Sequence, residues 1–232
     1  MTDTSTAAIP DADQEAAEAA AREEQARQHL LLAVLPHVAF EGWSPAALHA
    51  GYADAGLSVE EGTLLFPGGA REIIEYWSDW ADRRMLEQAE RPDFASLRVR
   101  DRIVTLMRAR IEINSPRRES LRRTLSFMAL PSQAGTTLAC TWRTLNAIWY
   151  ACGDTATDIG FYSKRITLGG VYAAAVLYWL DDSSEDFADT WAFLDRRIDD
   201  VMRMPKLNGR LRDKLIGIFS PLPMRRRSAS GG

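Results

Sequence analysis

Residues 55–69 read AGLSVEEGTLLFPGG and join two short segments of helical character. Ser58 and Glu61 form a capping box, in which each side chain accepts a hydrogen bond from the other residue's backbone N–H. The AG pair before Ser58 favours a turn, and the FPGG sequence after it ends the short helix. The stretch therefore predicts the second half of a helix-turn-helix. Glu60 and Glu61, however, would lie where a DNA phosphate backbone runs.

The flanking segments complete an N-terminal unit over residues 29–90. Leu31, Val34, Leu35 and Val38 recur at helical spacing, which predicts a first helix from His29 to Gly42. A second helix starts at the Ser44-Pro45 cap and ends near Asp54, and a long amphipathic helix covers about residues 70–89. The acidic residues 1–28 lack a clear apolar stripe, so we expect a disordered leader or a frayed helix.

The rest of the chain is also helical by its periodicity, and no stretch shows strand alternation. Predicted helices cover about residues 93–114, 116–128, 135–152, 158–180 and 187–204. The fold class is therefore all-α, with a second helical domain over residues 91–204. The longest uncharged run, residues 166–180, is shorter than a membrane-spanning helix and is expected to be a buried core helix.

Composition argues against several functions. The formal net charge is −4 and the pI is about 5.5, which disfavours nucleic-acid binding. Cys140 and Cys152 are expected to be buried, reduced thiols. The three histidines have no metal-binding spacing, and no phosphate loop or nucleophile elbow is present, so we expect neither a metal nor catalysis. The N-terminus lacks an apolar targeting segment, which favours a bacterial cytoplasmic protein.

Residues 205–232 form a basic tail that carries seven basic residues and one acidic residue, a net charge of +6. Apolar side chains recur at helical spacing between the basic groups: Leu207, Leu211, Leu215, Ile218 and Phe219. This pattern is typical of an amphipathic helix that lies on an anionic membrane surface. The alternative is a terminal helix that packs back onto the domain.

The words AGLS and GTL followed by FP, within residues 30–90, resemble the TetR-type regulators. Members of that family have an all-helical second domain that binds apolar ligands and dimerises. Here the stretch from Thr63 to Pro67 is contracted, and no lysine follows it to contact phosphate. The resemblance therefore implies a TetR-like helical bundle with a degenerate helix-turn-helix that binds no nucleic acid.

Two longer motifs, WYACGDTATDIGFYSKR at residues 149–165 and DSSEDFADTWAFLDRRIDDVM at residues 182–202, resemble the accessory lipid-binding family of ubiquinone (coenzyme Q) biosynthesis. Members of that family are TetR-like in fold, are not enzymes, hold an isoprenoid or other lipid and contact membranes through a C-terminal amphipathic helix. The resemblance implies that the present chain presents an isoprenoid quinone intermediate to demethoxyubiquinone hydroxylase or an equivalent quinone hydroxylase.

The first motif also resembles the family's docking surface for that hydroxylase. The implied partner-binding residues are Trp149, Asp158, Phe161, Tyr162, Lys164 and Arg165. Phe161 stands where a tryptophan is expected and Lys164 where an arginine is expected. Exposed aromatic side chains beside fixed charges suit a binding hot spot, although Phe161 and Tyr162 could instead pack the start of a helix.

Large and small apolar residues between positions 138 and 180 could line a lipid cavity. The candidates are Trp142, Leu145, Ile148, Leu168, Gly169, Tyr172, Val176 and Trp179. Periodicity alone favours an ordinary bundle core, and the family resemblance favours a cavity.

The complete interpretation is a lipid-binding accessory protein, expected to be a homodimer peripheral to the inner membrane of a bacterium. Two alternatives stay open. A ligand-responsive transcription factor would require a basic face on the helix after Ser58, and an enzyme on the same bundle would turn over quinone precursors without a partner.

Overall fold

The computed structural model describes residues 12–154 and 159–203, and within them it is built from α-helices and short 3-10 turns, without strands. The helices are α1 (Ala12–Glu41), α2 (Pro45–Asp54), α3 (Val59–Leu65), α4 (Gly69–Leu86), α5 (Val99–Glu112), α6 (Arg118–Met128), α7 (Ala134–Ala151), α8 (Ile159–Asp181) and α9 (Ala188–Arg203). The all-α prediction is confirmed. None of the described helices is long and apolar enough to cross a membrane.

Helices α1–α3 form the expected helix-turn-helix unit. Ser58 N donates to Glu61 Oε2 at 2.8 Å, and Glu61 N donates to Ser58 Oγ at 3.2 Å, so the capping box is present. The helices pack closely, since a Cβ at Gly62 would lie 2.5 Å from the Tyr52 ring and one at Gly51 would lie 2.6 Å from Val34 Cα. Glycine at these two positions therefore sets the separation of the helices.

Two apolar cores meet at α4. The first part of α4 packs against α1–α3 in an N-terminal core. The C-terminal end of the same helix packs against α5–α9 in a larger core. Trp77 and Trp80 belong to the first core, whereas Met85 belongs to the second. Because α4 is one continuous helix that contributes to both cores, the two predicted domains share this helix.

The structure differs from the sequence-based boundaries at two places. Helix α1 begins at Ala12, so the predicted boundary at residue 28 falls inside a helix. Glu24 accepts a hydrogen bond from Tyr76 at 3.0 Å, and Arg27 donates to Glu72 at 2.8 Å, which ties α1 to α4. Helix α5 begins at Val99, because the preceding residues form a 3-10 turn.

Asp182 joins the end of α8 to the start of α9. Its carboxylate is buried and accepts hydrogen bonds from the backbone N–H groups of Ser184, at 2.8 Å, and Thr190, at 2.9 Å. The Thr190 hydroxyl donates a further hydrogen bond to it. These bonds fix the angle between α8 and α9, and α9 carries most of the second sequence motif.

Candidate functional site

A cavity of about 310 Å³ lies between helices α4–α8. Its lining is mostly apolar and comprises Ile74, Trp77, Ser78, Arg110, Asn114, Leu121, Thr124, Leu125, Met128, Thr137, Cys140, Thr141, Thr144, Tyr172, Ala173, Val176 and Leu177. Ala173 and Leu177 are exposed on α8 and form the rim. A half-open apolar cavity with its exposed rim on α8 suits a ligand with a long hydrocarbon part.

The inner end of this cavity carries a buried charged network. Arg110 Nε donates to Asp82 Oδ1 at 2.7 Å, and the Thr144 hydroxyl donates to the same carboxylate at 2.9 Å. Burial lowers the pKa of Arg110, but electrostatic interactions with Tyr172 and with the Asp82 carboxylate, together with the hydrogen bond to Asp82, outweigh this effect and raise it. The guanidinium therefore stays charged, and its charge is balanced by Asp82.

The predicted lipid-binding residues divide between this cavity and the core. Tyr172 and Val176 line the cavity. Leu145, Ile148, Leu168 and Trp179 are buried in the larger core. A Cβ at Gly169 would lie 3.0 Å from Leu145 Cδ1, so this glycine faces the core, and the half-buried Trp142 stacks on Tyr162.

The predicted docking residues divide between the surface and the interior. Tyr162 is 43% exposed and Lys164 is also exposed, whereas Trp149 and Arg165 are buried. Asp154 accepts from Lys164 Nζ at 2.8 Å and from Arg165 Nη1 at 3.2 Å. Trp149 and Arg165 therefore support this surface from beneath and are not available for direct contact with a partner.

The remaining predicted residues lie wholly or partly outside the described residues. Asp158 and the membrane-binding residues Leu207, Leu211, Leu215, Ile218 and Phe219 lie outside the described residues. The backbone of Phe161 belongs to α8, but its side chain is not among those that the structure describes.

Sequence reasoning missed the cavity walls that α4, α5 and α6 contribute. A signal was nevertheless present in α5, where Ile103, Met107, Arg110 and Ile111 share one helical stripe. A charged residue on an apolar stripe indicates a buried polar site, because isolated charges are rarely buried without a partner. Its partner, Asp82, lies 28 positions earlier in the chain and could not be identified from spacing.

Both cysteines are buried in the structure. Burial raises the pKa of the Cys152 thiol to about 12, and it also raises the pKa of Cys140. Across the described ranges, no group of three or more His, Cys, Asp and Glu side chains is arranged to hold a metal ion.

Comparison with protein families places α7–α9 in a defined group, since residues 134–205 match the COQ9 family. This part of the chain is similar to the COQ9 domain. The rat ubiquinone biosynthesis protein COQ9, mitochondrial, is 32% identical in an alignment of 193 residues that covers 78% of this chain and 60% of the rat protein. The human COQ9 protein is 31% identical over 78% of this chain and 59% of its own length. The resemblance to the ubiquinone-biosynthesis family is confirmed, although the chain spans about three fifths of these COQ9 relatives.

The expected location on a bacterial inner membrane is wrong. The COQ9 proteins of rat, human and fruit fly that match this chain are all named mitochondrial. The expectation rested on the composition of the first residues, which does not identify the compartment.

The fold of the chain resembles that of a solved TetR transcriptional regulator from Nitrosomonas europaea ATCC 19718. The TM-score is 0.65 at 23% identity, and the match covers 77% of this chain and 98% of the regulator. The predicted TetR-like fold is confirmed, and at this identity the likeness concerns the fold alone.

Proposed function

We propose that this protein acts in ubiquinone biosynthesis as a non-catalytic lipid-binding protein that holds an isoprenoid quinone intermediate and presents it to a hydroxylase. The observation that carries the proposal is the apolar cavity between α4 and α8, two walls of which, α7 and α8, belong to the part of the chain that is similar to the COQ9 domain. Relatives of this domain are named ubiquinone biosynthesis proteins.

The dimensions of the cavity determine how such a ligand would sit. A volume of about 310 Å³ is at the lower end of the range for ligand sites, so it holds a ring and a short part of a prenyl tail. The remainder of the tail would leave through the rim at Ala173 and Leu177. Burial of the apolar part supplies affinity at about 25 cal/mol per Å² removed from water.

The proposed partner surface contains Tyr150, Tyr162 and Lys164, and we assign it to demethoxyubiquinone hydroxylase or an equivalent quinone hydroxylase. Tyr150 is 60% exposed, and the Tyr162 ring stacks on Trp142 with centroids 5.9 Å apart. A stacked, partly exposed ring is held rigidly, so it can bury area against a partner at low entropic cost. We assign the basic residues 205–232 to an anionic membrane, where the quinone lipids reside.

The decisive experiment is mass spectrometry of an organic extract of the purified protein. Ala173→Trp places a large side chain at the rim, and we expect it to abolish a stoichiometric isoprenoid lipid that the unmodified protein retains. Ala192→Trp is the matched control, because Ala192 is exposed on α9 and does not line the cavity. Absence of lipid from the unmodified protein, together with salt-dependent DNA binding, would instead support the transcription-factor alternative.

A further inference from the structure

Two buried polar atoms in the residues that line the cavity have no hydrogen-bond partner among the described residues. They are the indole Nε1–H of Trp77 and the amide Oδ1 of Asn114. Each residue is 3% exposed, so bulk solvent does not satisfy these atoms. Buried unpaired groups are uncommon in native proteins and retain their full desolvation penalty, so each one calls for an explanation.

Several other polar groups of the lining are already bonded within the protein. Asn114 Nδ2 donates to Arg110 O at 3.0 Å, which leaves Oδ1 as the unpaired end of the amide. The hydroxyls of Thr124, Thr137 and Thr144 each donate to a carbonyl or carboxylate oxygen within the protein. Arg110 is the charged residue of the lining, and Asp82 balances it. The buried part of the wall therefore has at least one unpaired donor, Trp77 Nε1, and one unpaired acceptor, Asn114 Oδ1, without an unbalanced charge.

We propose that Trp77 Nε1 and Asn114 Oδ1 recognise a neutral head group that both accepts and donates a hydrogen bond, namely a ring hydroxyl of a phenol or hydroquinone. A fully oxidised quinone, an aryl ether or a phosphodiester offers acceptors only, and would leave Asn114 Oδ1 unpaired. This inference rests on the proposed function and narrows its ligand to the hydroxylated, reduced class.

The position of these residues also orients the ligand. Trp77 and Asn114 are buried on α4 and at the end of α5, whereas the rim residues Ala173 and Leu177 are exposed on α8. A polar ring at the buried end and an alkyl chain toward the rim would match both parts of the lining. The hydroxyl would then be recognised inside the protein, with the tail still available to a membrane.

The test uses two compounds with the same skeleton. Isothermal titration of the lipid-stripped full chain with 4-nonylphenol and with its methyl ether compares a head that donates and accepts with one that only accepts. We expect the phenol to bind about tenfold more tightly, since an unpaired buried acceptor costs about that factor in affinity.

Two variants separate the contributions of the two atoms. Asn114→Leu removes the acceptor and is expected to abolish the preference for the phenol. Trp77→Phe removes the donor and is expected to weaken the binding of both compounds to a similar extent. Trp80→Phe is the matched control for lipid affinity, because Trp80 is also buried on α4 but does not line the cavity. Circular dichroism checks that each variant is folded.

The unmodified protein alone can overturn the inference, even if a variant fails to fold. Equal affinities for the phenol and the ether would refute head-group recognition and leave lipid binding in the cavity standing. Failure of both compounds to bind would refute the proposed cavity function together with the inference. A preference for the phenol that survives Asn114→Leu in a folded protein would show that Asn114 is not its source.

Discussion

At the scale of single residues, Asp82 holds together the polar side chains at the buried end of the cavity. Its carboxylate accepts hydrogen bonds from Arg110 and Thr144. The side chains of Asp82, Arg110 and Thr144 come from three different helices. A buried ion pair of this kind contributes little over an apolar replacement, but removing one partner leaves an uncompensated charge. The carboxylate therefore maintains the separation of α4, α5 and α7 around the cavity.

Asp82→Asn should destabilise the protein by about 3–5 kcal/mol, because Arg110 would remain buried without a counter-charge. The free energy of unfolding from urea titration measures this effect. Asp181→Asn is the control: Asp181 pairs with Arg122 at 3.0 Å but is 79% exposed, so its loss should cost less than about 1 kcal/mol. Equal losses for the two variants would contradict the assigned role of Asp82.

Tyr162→Ala should weaken binding to the hydroxylase by at least about tenfold without unfolding the domain, because it removes a rigid aromatic contact. Surface plasmon resonance with immobilised hydroxylase measures the affinity. Phe40→Ala removes a more exposed aromatic ring from α1, since Phe40 is 84% exposed, and should have no effect. Unchanged affinity of folded Tyr162→Ala would exclude this side chain from the interface.

At the scale of helices, the junction between α8 and α9 is held by one carboxylate. Burial raises the pKa of Asp182, but hydrogen bonds from Ser184 and Thr190 outweigh burial and hold its pKa well below the ordinary value. A depressed pKa means that the stabilisation is fully present above the unfolded-state pKa, near 3.9, and is lost as the pH falls below it. The angle between α8 and α9 is therefore sensitive to acid.

Asp182→Asn should remove part of the acid dependence of stability. We expect the thermal unfolding temperature of the unmodified protein to fall more steeply than that of the variant between about pH 5 and pH 2.5. Asp189→Asn is the control, since Asp189 lies seven positions further on, is exposed, and has a carboxylate that does not join the two helices. Parallel pH profiles for the unmodified protein and Asp182→Asn would contradict this linkage.

The helices themselves were largely predictable, because apolar spacing and caps are local properties. For residues 12–28, which have no apolar stripe, the sequence leaves disorder and a frayed helix open, and the structure shows the helix, since alanine, glutamate and arginine have high helix propensity. The cavity was predicted on α7 and α8 only. Periodicity indicates that the side chains of Leu145 and Tyr172 point toward the interior of the bundle. It does not distinguish Leu145, which packs in the core, from Tyr172, which lines the cavity.

At the scale of the whole molecule, an apolar surface on α8 and α9 is the natural candidate for the homodimer interface that we propose. Leu177 is 60% exposed and Tyr178 is 41% exposed. The Tyr178 ring stacks on Phe193 with centroids 4.8 Å apart, which joins the two helices into one apolar patch. Exposed apolar patches of this kind often mark protein–protein contacts. Leu177 also belongs to the rim of the cavity, so a dimer formed here would partly cover the entrance.

Leu177→Glu should therefore shift the protein from dimer to monomer in sedimentation equilibrium, because a charge would be buried without a partner in the interface. Leu64→Glu is the matched control, since Leu64 is 80% exposed on α3, away from this patch. Because the same residue lies at the rim, the monomeric variant should also exchange bound lipid faster than the dimer. A dimer that is unaffected by Leu177→Glu would place the interface on another face and separate oligomeric state from access to the cavity.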